Sequence, residues 1–191
     1  MAYYFKEFPK VRYSLKKNKN FELLTNVTLR YKLRDSIKNR TAVYYDYVVK
    51  DGDRPDIIAE KYYEDSRLDW VLFLVNDIVD PYYDWPLNHE SFQEYMKTIY
   101  GSLSAAHSTV YEYRKILNQQ SVLSSGAVIP KRTVVVDLNT YNSLVASERE
   151  SISAYDYYEE KNEEKRKIKI LHKNFVPELV REVELIFSGI N

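Results

Sequence analysis

The chain has 191 residues in which 28 Lys and Arg balance 28 Asp and Glu, so its formal charge is zero. This balance argues against a globally basic nucleic-acid binder and a highly charged disordered chain, and the absence of Cys excludes disulfide scaffolds, thiol nucleophiles and Cys-ligated metal sites. The longest wholly apolar run, Trp70 to Val75, has six residues where about 20 are needed to cross a bilayer. Lys6, Glu7 and Lys10 interrupt the stretch where a signal peptide needs unbroken apolar sequence. The expectation is a soluble, non-exported chain with neither membrane nor nucleic acid as partner. Only 4 residues are Gly and 19 are Tyr. Few positions can then supply the backbone of a phosphate-cradling loop, while a ring with a polar tip suits surfaces that are wet before assembly and covered after it.

Tyr3, Tyr4, Phe5 and Phe8 open the chain, ahead of a polar basic stretch, Lys16 to Asn20. Val27 to Arg34 then alternates strictly, and the period predicts a strand with Val27, Leu29, Tyr31 and Leu33 on one face. Arg30, Lys32 and Arg34 share the other face. They are either a solvated edge that resists aggregation or a docking face for an acidic partner. Tyr45, Tyr47 and Val49 predict a second strand, Asp51-Gly52-Asp53 a turn, and Pro55 the first turn of a helix with Asp53 or Arg54 as cap. Ile57, Ile58, Ala59 and Tyr62 form its expected buried stripe. Ser66 and Asp69 predict a capping box opening a further helix. There Leu68, Val71, Leu72 and Val75 make one face, and Trp70, Phe73 and Leu74 point elsewhere. Leaving such side chains wet costs on the order of 1.5–3 kcal/mol each, so either the rest of this chain or another subunit must cover them.

Asp80 to Pro86 reads as a turn and extended segment carrying Tyr82, Tyr83 and Trp85, residue types that dominate binding hot spots. Residues 89–100 predict a short amphipathic helix, and the Ser-rich stretch 101–132 predicts loops around a strand at 109–113. Arg132 to Leu138 predicts another strand. A polar helix is expected from Ser151 to about Lys165 with Ile152, Tyr155, Tyr158 and Asn162 in line, then an alternating strand from Arg166 to Leu171. A last helix follows, capped by Asn174, striped by Val176, Leu179, Val180, Val183, Ile186 and Phe187, and ended by Gly189.

The sequence offers no catalytic constellation. His89, His107 and His172 are scattered, and His89-Glu90 lacks the second His of a zinc-protease helix because Gln93 stands there. No nucleophile elbow, Walker loop or dinucleotide fingerprint occurs. Asp77, Asp80 and Asp84 lack the central Gly and final Glu of an EF-hand. Neither enzyme, metal nor cofactor is expected.

Tyr47 to Asp53, Ile58-Ala59, Tyr62-Tyr63, Trp70 and Asn76-Asp77 together resemble a LysM module, which implies a small β-α-α-β unit. Two positions depart from that pattern: Arg54 stands where a hydroxyl residue is usual, and Asp80 to Leu87 replaces the usual Pro-Gly turn and closing strand. In sugar-binding LysM domains these two loops form the glycan groove. A wider set, comprising the aromatic N-terminus, Arg34 to Asn39, Tyr47 to Pro86 and Tyr157 to Leu171, is similar to the small LysM-containing baseplate wedge proteins of T-even-type contractile-tailed bacteriophages. That resemblance implies a non-enzymatic structural subunit in the virion tail baseplate, assembled in the host cytoplasm. It would join wedge subunits and neighbouring wedges into a six-fold ring and touch the sheath-initiating protein.

The expected fold is α+β. An N-terminal extension with a strand spans 1–43, a LysM-like domain 44–100, a loop-rich β insert 101–142, and a helix-strand-helix region 143–191. The candidate protein-contact residues are Trp70, Phe73, Leu74, Tyr82, Tyr83 and Trp85, with Arg30, Lys32 and Arg34 as a charged docking strand. The C-terminal helix is either core or a helix-in-groove contact. A second reading is a LysM-type glycan-binding protein of a cell-wall system. A third, a cell-wall hydrolase, has no nameable acid or base.

Overall fold

The computed structural model describes residues 5, 8–14, 21–33 and 43–188. Expectations placed on Tyr3, Tyr4, the Lys16 to Asn20 stretch, residues 34–39 and Gly189 lie outside the described residues, and so does Arg34. Helices and strands are mixed, as an α+β chain requires. The chain forms two compact units. One is built from residues 1–86 and 165–191, the other from the intervening Leu87–Glu164.

The first unit begins with an antiparallel hairpin, β1 (Lys10–Tyr13) and β2 (Glu22–Thr25), which the periodicity did not signal. The strand expected over Val27 to Arg34 does not form in the residues described. Val27 and Thr28 lie in a turn, with the Thr28 N–H and hydroxyl both donating to the Asn26 side chain. Only the second half of the predicted face is buried: Tyr31 and Leu33 enter the core, whereas Val27 is 65% exposed.

Next come β3 (Tyr44–Val48), α1 (Pro55–Tyr63), a 3-10 turn (Ser66–Leu68), α2 (Asp69–Val75) and a single helical turn, α3 (Pro81–Asp84). Pro55 sits in the first turn of α1 with Arg54 as its cap, and Glu64 ends the helix in a left-handed conformation at φ 59°. The buried face of α1 is Ile58, Ala59 and Tyr63, and Ile57 is exposed, one helical step off the expected stripe. Asp65, not Ser66, opens the next segment: its carboxylate accepts from the Arg67 N–H at 3.0 Å, and one 3-10 turn intervenes before α2. The extended segment expected at Asp80 to Pro86 is instead helical over Pro81–Asp84, because the Asp80 carboxylate caps the Tyr82 N–H.

The strand that pairs with β3 comes from far along the chain. β9 (Lys167–Leu171) runs antiparallel to it, from Tyr44 opposite Leu171 to Val48 opposite Lys167. Asn76, at the end of α2, fastens this strand to the helix. Its carboxamide donates to the Leu72 and Lys169 carbonyls, each at 2.8 Å, and accepts from the Lys169 N–H at 2.7 Å. The side chain thus pairs with β9 as a peptide group would. Ile168, Ile170 and Leu171 pack with Ile58, Val71 and Leu72 in one core. α8 (Val176–Ser188) follows a 3-10 turn capped by the ring of His172, not by Asn174. Val176, Leu179 and Val183 join the same core, so this stripe of the last helix is core; Ile186 is exposed.

The turn between β3 and α1 is locked by polar groups. The Asp53 carboxylate accepts from the Tyr47 hydroxyl at 2.7 Å and the Lys50 N–H at 2.9 Å. Gly52, at φ 82°, supplies the left-handed residue of the turn. Burial works to raise the Asp53 pKa, but these hydrogen bonds and the charges of Lys50 and Lys61 outweigh it and hold the group below its ordinary value. Burial, followed by the bond to Asp53, pushes the Tyr47 phenol up to about 12.

The second unit holds α4 (His89–Tyr100), α5 (Leu103–Ser108), β4 (Val110–Asn118), β5 (Ser121–Val122), β6 (Val128–Ile129), β7 (Arg132–Val136), α6 (Leu138–Ser143), β8 (Arg149–Ser153) and α7 (Ala154–Lys165). The stretch expected to be loop-rich therefore contains a helix and a nine-residue strand. β4 is central in an antiparallel sheet of order β7-β4-β8. A small core gathers Phe92, Met96, Ala106 and Tyr155. Asn162, a buried polar residue, closes the unit: it accepts from the Leu87 N–H at 2.8 Å and donates to the Leu87 carbonyl at 2.9 Å. The first residue of this segment is thereby clasped to its last helix.

Two outcomes are expected in solution. Asn76→Ala removes the only side chain among the described residues that bonds both polar backbone groups of Lys169, and should lower stability by about 1–3 kcal/mol in urea titration. Asp53, with a depressed folded-state pKa, contributes stability that is fully present above its unfolded value and fades as pH falls through the folded one. Asp53→Asn should therefore melt below the parent at neutral pH, with the gap closing toward pH ~3.

Candidate protein-contact surface

The segment 27–31, α2 and the stretch from Ile78 to Pro81 enclose a groove of about 740 Å³. Trp70, Phe73 and Leu74 line it from α2, and Val27, Leu29 and Val79 line it from the connecting segments. Most of the lining is apolar, with Arg30, Arg67 and Asp69 as its charged members. Burial raises the Asp69 carboxyl above its ordinary value, and the charge on Asp56 adds to this. Arg67 is held by a two-pronged ion pair to Asp65, at 2.7 Å for each bond.

The structure gathers part of the sequence-derived contact set here and separates the rest. Trp70 and Leu74 form the floor, each only 7% exposed, because Phe8, Tyr31 and Leu33 share their core. The all-round apolar helix is thus covered largely by its own chain, and these two residues are core side chains with an edge on the groove. Phe73 is half-buried and meets Trp85 edge-on, with ring centroids 6.3 Å apart. Trp85 is also half-buried. Its indole N–H donates to the Asp53 carbonyl at 3.2 Å, which ties the segment after α2 to the turn before α1.

Tyr82 and Tyr83 differ from the others in being 89% and 74% exposed. They sit on α3, whose geometry is fixed at both ends. Asp80 caps the turn, and the Asp84 carboxylate folds back to accept from the Val79 and Asp80 N–H groups at 2.9 and 3.0 Å. Those two bonds hold the Asp84 carboxyl below its ordinary value, with Lys165 and Arg30 contributing charge. The Lys165 ammonium donates to the Tyr83 carbonyl. A rigid turn that presents two wet aromatic rings has little entropy to lose when it is covered.

Arg30 lines the groove and is exposed, as is Lys32, while Tyr31 between them is buried. The alternation thus places the two cations outward even though no ladder forms there. Sequence reasoning missed Val27, Leu29 and Val79 as lining residues. The alternation had already marked Val27 and Leu29 as one apolar face, which was the available signal, whereas Val79 stands alone in a bend with no periodic pattern around it. Among the described residues no group of His, Asp and Glu is arranged to hold a metal ion.

Comparison with known proteins places the chain in a family. The baseplate wedge protein gp53 of Enterobacteria phage T4 is 26% identical to the chain over 202 aligned residues, covering 95% of this chain and 96% of that protein. A family model described as "Base plate wedge protein 53" matches residues 3–123, well over half of the sequence, and the chain belongs to that family.

Proposed function

We propose that the chain is a non-enzymatic structural subunit of a contractile-tail baseplate wedge, located in the virion tail and acting through contacts with other baseplate proteins. Family membership carries this reading. The finer reading is that it joins wedge subunits and neighbouring wedges into a six-fold ring and meets the sheath-initiating protein. Tyr82 and Tyr83, the groove behind them and the outward Arg30 and Lys32 support that role, because they offer an aromatic anchor beside an apolar cleft with a cationic rim.

A LysM-like unit is part of the same proposal. β3, α1, α2 and β9 follow one another as β-α-α-β, with the two strands antiparallel. Its fourth element would be supplied by residues 167–171, after an inserted unit, and not from within 44–100. A glycan-binding role is disfavoured. The two loops that form the sugar groove of such domains are bridged here by the chain's own Trp85, through its bond to Asp53.

The paired substitution Tyr82→Ala with Tyr83→Ala tests the contact role. Both rings are largely in water, so the variant should melt within a few degrees of the parent, about the change expected for ≤1 kcal/mol. In cells infected with phage lacking its own copy of the gene, it should yield few complete baseplates by electron microscopy. A normal yield would remove these residues from the interface. The parent should also fail to sediment with insoluble peptidoglycan.

A further inference from the structure

The two edges of the β7-β4-β8 sheet are built differently. β8 carries Arg149 and Glu150, with Glu150 ion-paired to Lys131 and the Arg149 guanidinium lying over the Tyr141 ring. Charged side chains are the ordinary protection of a sheet edge against pairing with another chain. β7 has none between Arg132 and Asp137: its edge reads Thr133-Val134-Val135-Val136. Val134 and Val135 point to opposite faces and are 45% and 61% exposed. No strand among the described residues pairs with the outer side of β7. Pro130, without an N–H, interrupts the ladder before it, and α6 begins two residues after it ends. The open edge is therefore five residues long, with apolar side chains above and below a row of backbone donors and acceptors.

We propose that this edge is the docking site for a β-strand from a different polypeptide of the assembly. The strand is an extended segment with alternating apolar residues and an acidic residue facing Arg132. Backbone groups spaced along an edge are matched by another extended backbone, and the exposed valines supply packing on both faces. A second copy of this chain fits less well. Added antiparallel about a two-fold axis normal to the sheet, it pairs only residues whose numbers are both even or both odd. Arg132 then faces Val134, Val136, Leu138 or itself, and its charge goes unanswered. A distinct partner has no such restriction. This inference rests on the assembly role but occupies a different unit from the groove.

Hydrogen–deuterium exchange of the full chain, free and in purified baseplates, tests it. Amides in 133–136 that exchange quickly in the free chain should slow at least ten-fold in the particle, while 149–153 change little. Equal exchange of 133–136 in both states overturns the proposal. Protection already present in the free chain, with dimers in sedimentation velocity, overturns the choice of partner in favour of a second copy. Val135→Glu, whose carboxylate would lie opposite Arg114 on β4, should keep the parent's melting profile and lower incorporation into baseplates at least ten-fold. Val135→Ile should incorporate normally, and normal incorporation of Val135→Glu also overturns the proposal. If the parent chain never enters baseplates, the assembly role itself fails, which is a separate result.

Discussion

The first unit depends on one long-range pairing. β3 and β9 form a two-stranded sheet from segments about 120 residues apart, and a two-stranded sheet alone is marginal in water. Burial against α1 and α2 supplies what the hydrogen bonds lack: Ile170 and Ile58 are 1% exposed, and Val71 and Leu72 are fully covered. Asn76 makes the arrangement specific. By meeting both polar groups of Lys169 it fixes which residue of β9 lies beside the end of α2, and a slip of one residue would turn Ile168 and Ile170 out of the core.

Closing a pairing over such a distance costs chain entropy, though the cost grows only slowly with length. The intervening segment lowers it further by folding on itself. Asn162 holds Leu87 by both backbone groups, so the ends of Leu87–Glu164 are already near one another when that unit is formed. A buried amide is tolerable only when its donors and acceptors are used, and Asn162 uses both kinds. Pairing this non-local is characteristic of slower-folding topologies.

Local elements were legible where a period or a cap announced them: β3, α1, α2, α4, β7, α7 and β9 all stand near their expected places. Their connectivity was not. A strand of alternating Ile and Lys says that one face is buried but not which strand lies beside it, so the pattern alone does not assign β9 to β3. The Ser-rich stretch misled for a different reason. Ser102 caps α5 through the Ala105 N–H, and beyond the stretch Asp137, expected within a strand, caps α6 through two N–H groups. A serine that reads as a loop former marks a helix start. Trp70 and Leu74 show the limit for the site. An all-round apolar helix requires cover, but its sequence cannot tell an N-terminal extension of the same chain from a neighbouring subunit. The alternation that placed Tyr31 and Leu33 on one face was the available clue.

The tyrosines carry the same lesson into function. Many of the rings that composition assigned to contact surfaces pack on one another inside the second unit. Tyr111 stacks on Tyr157 at 3.9 Å, Tyr95 and Tyr100 meet Tyr158 edge-on, and Tyr113 leans on Tyr141. Burial, then the neighbouring Tyr100, Tyr111 and Tyr95, pushes the Tyr158 phenol up to about 12. Tyr82 and Tyr83 on α3 stand apart from these ring clusters in being 89% and 74% exposed, so exposure and not ring abundance is what singles them out. The charge balance bears on the same point. A chain with no net charge lacks the long-range repulsion that keeps copies of a soluble protein apart. The same chain exposes Val134, Val135, Tyr82 and Tyr83. In a free-standing monomer these features would favour aggregation. In the assembly subunit proposed above, such exposed apolar groups are the parts that a neighbour would cover.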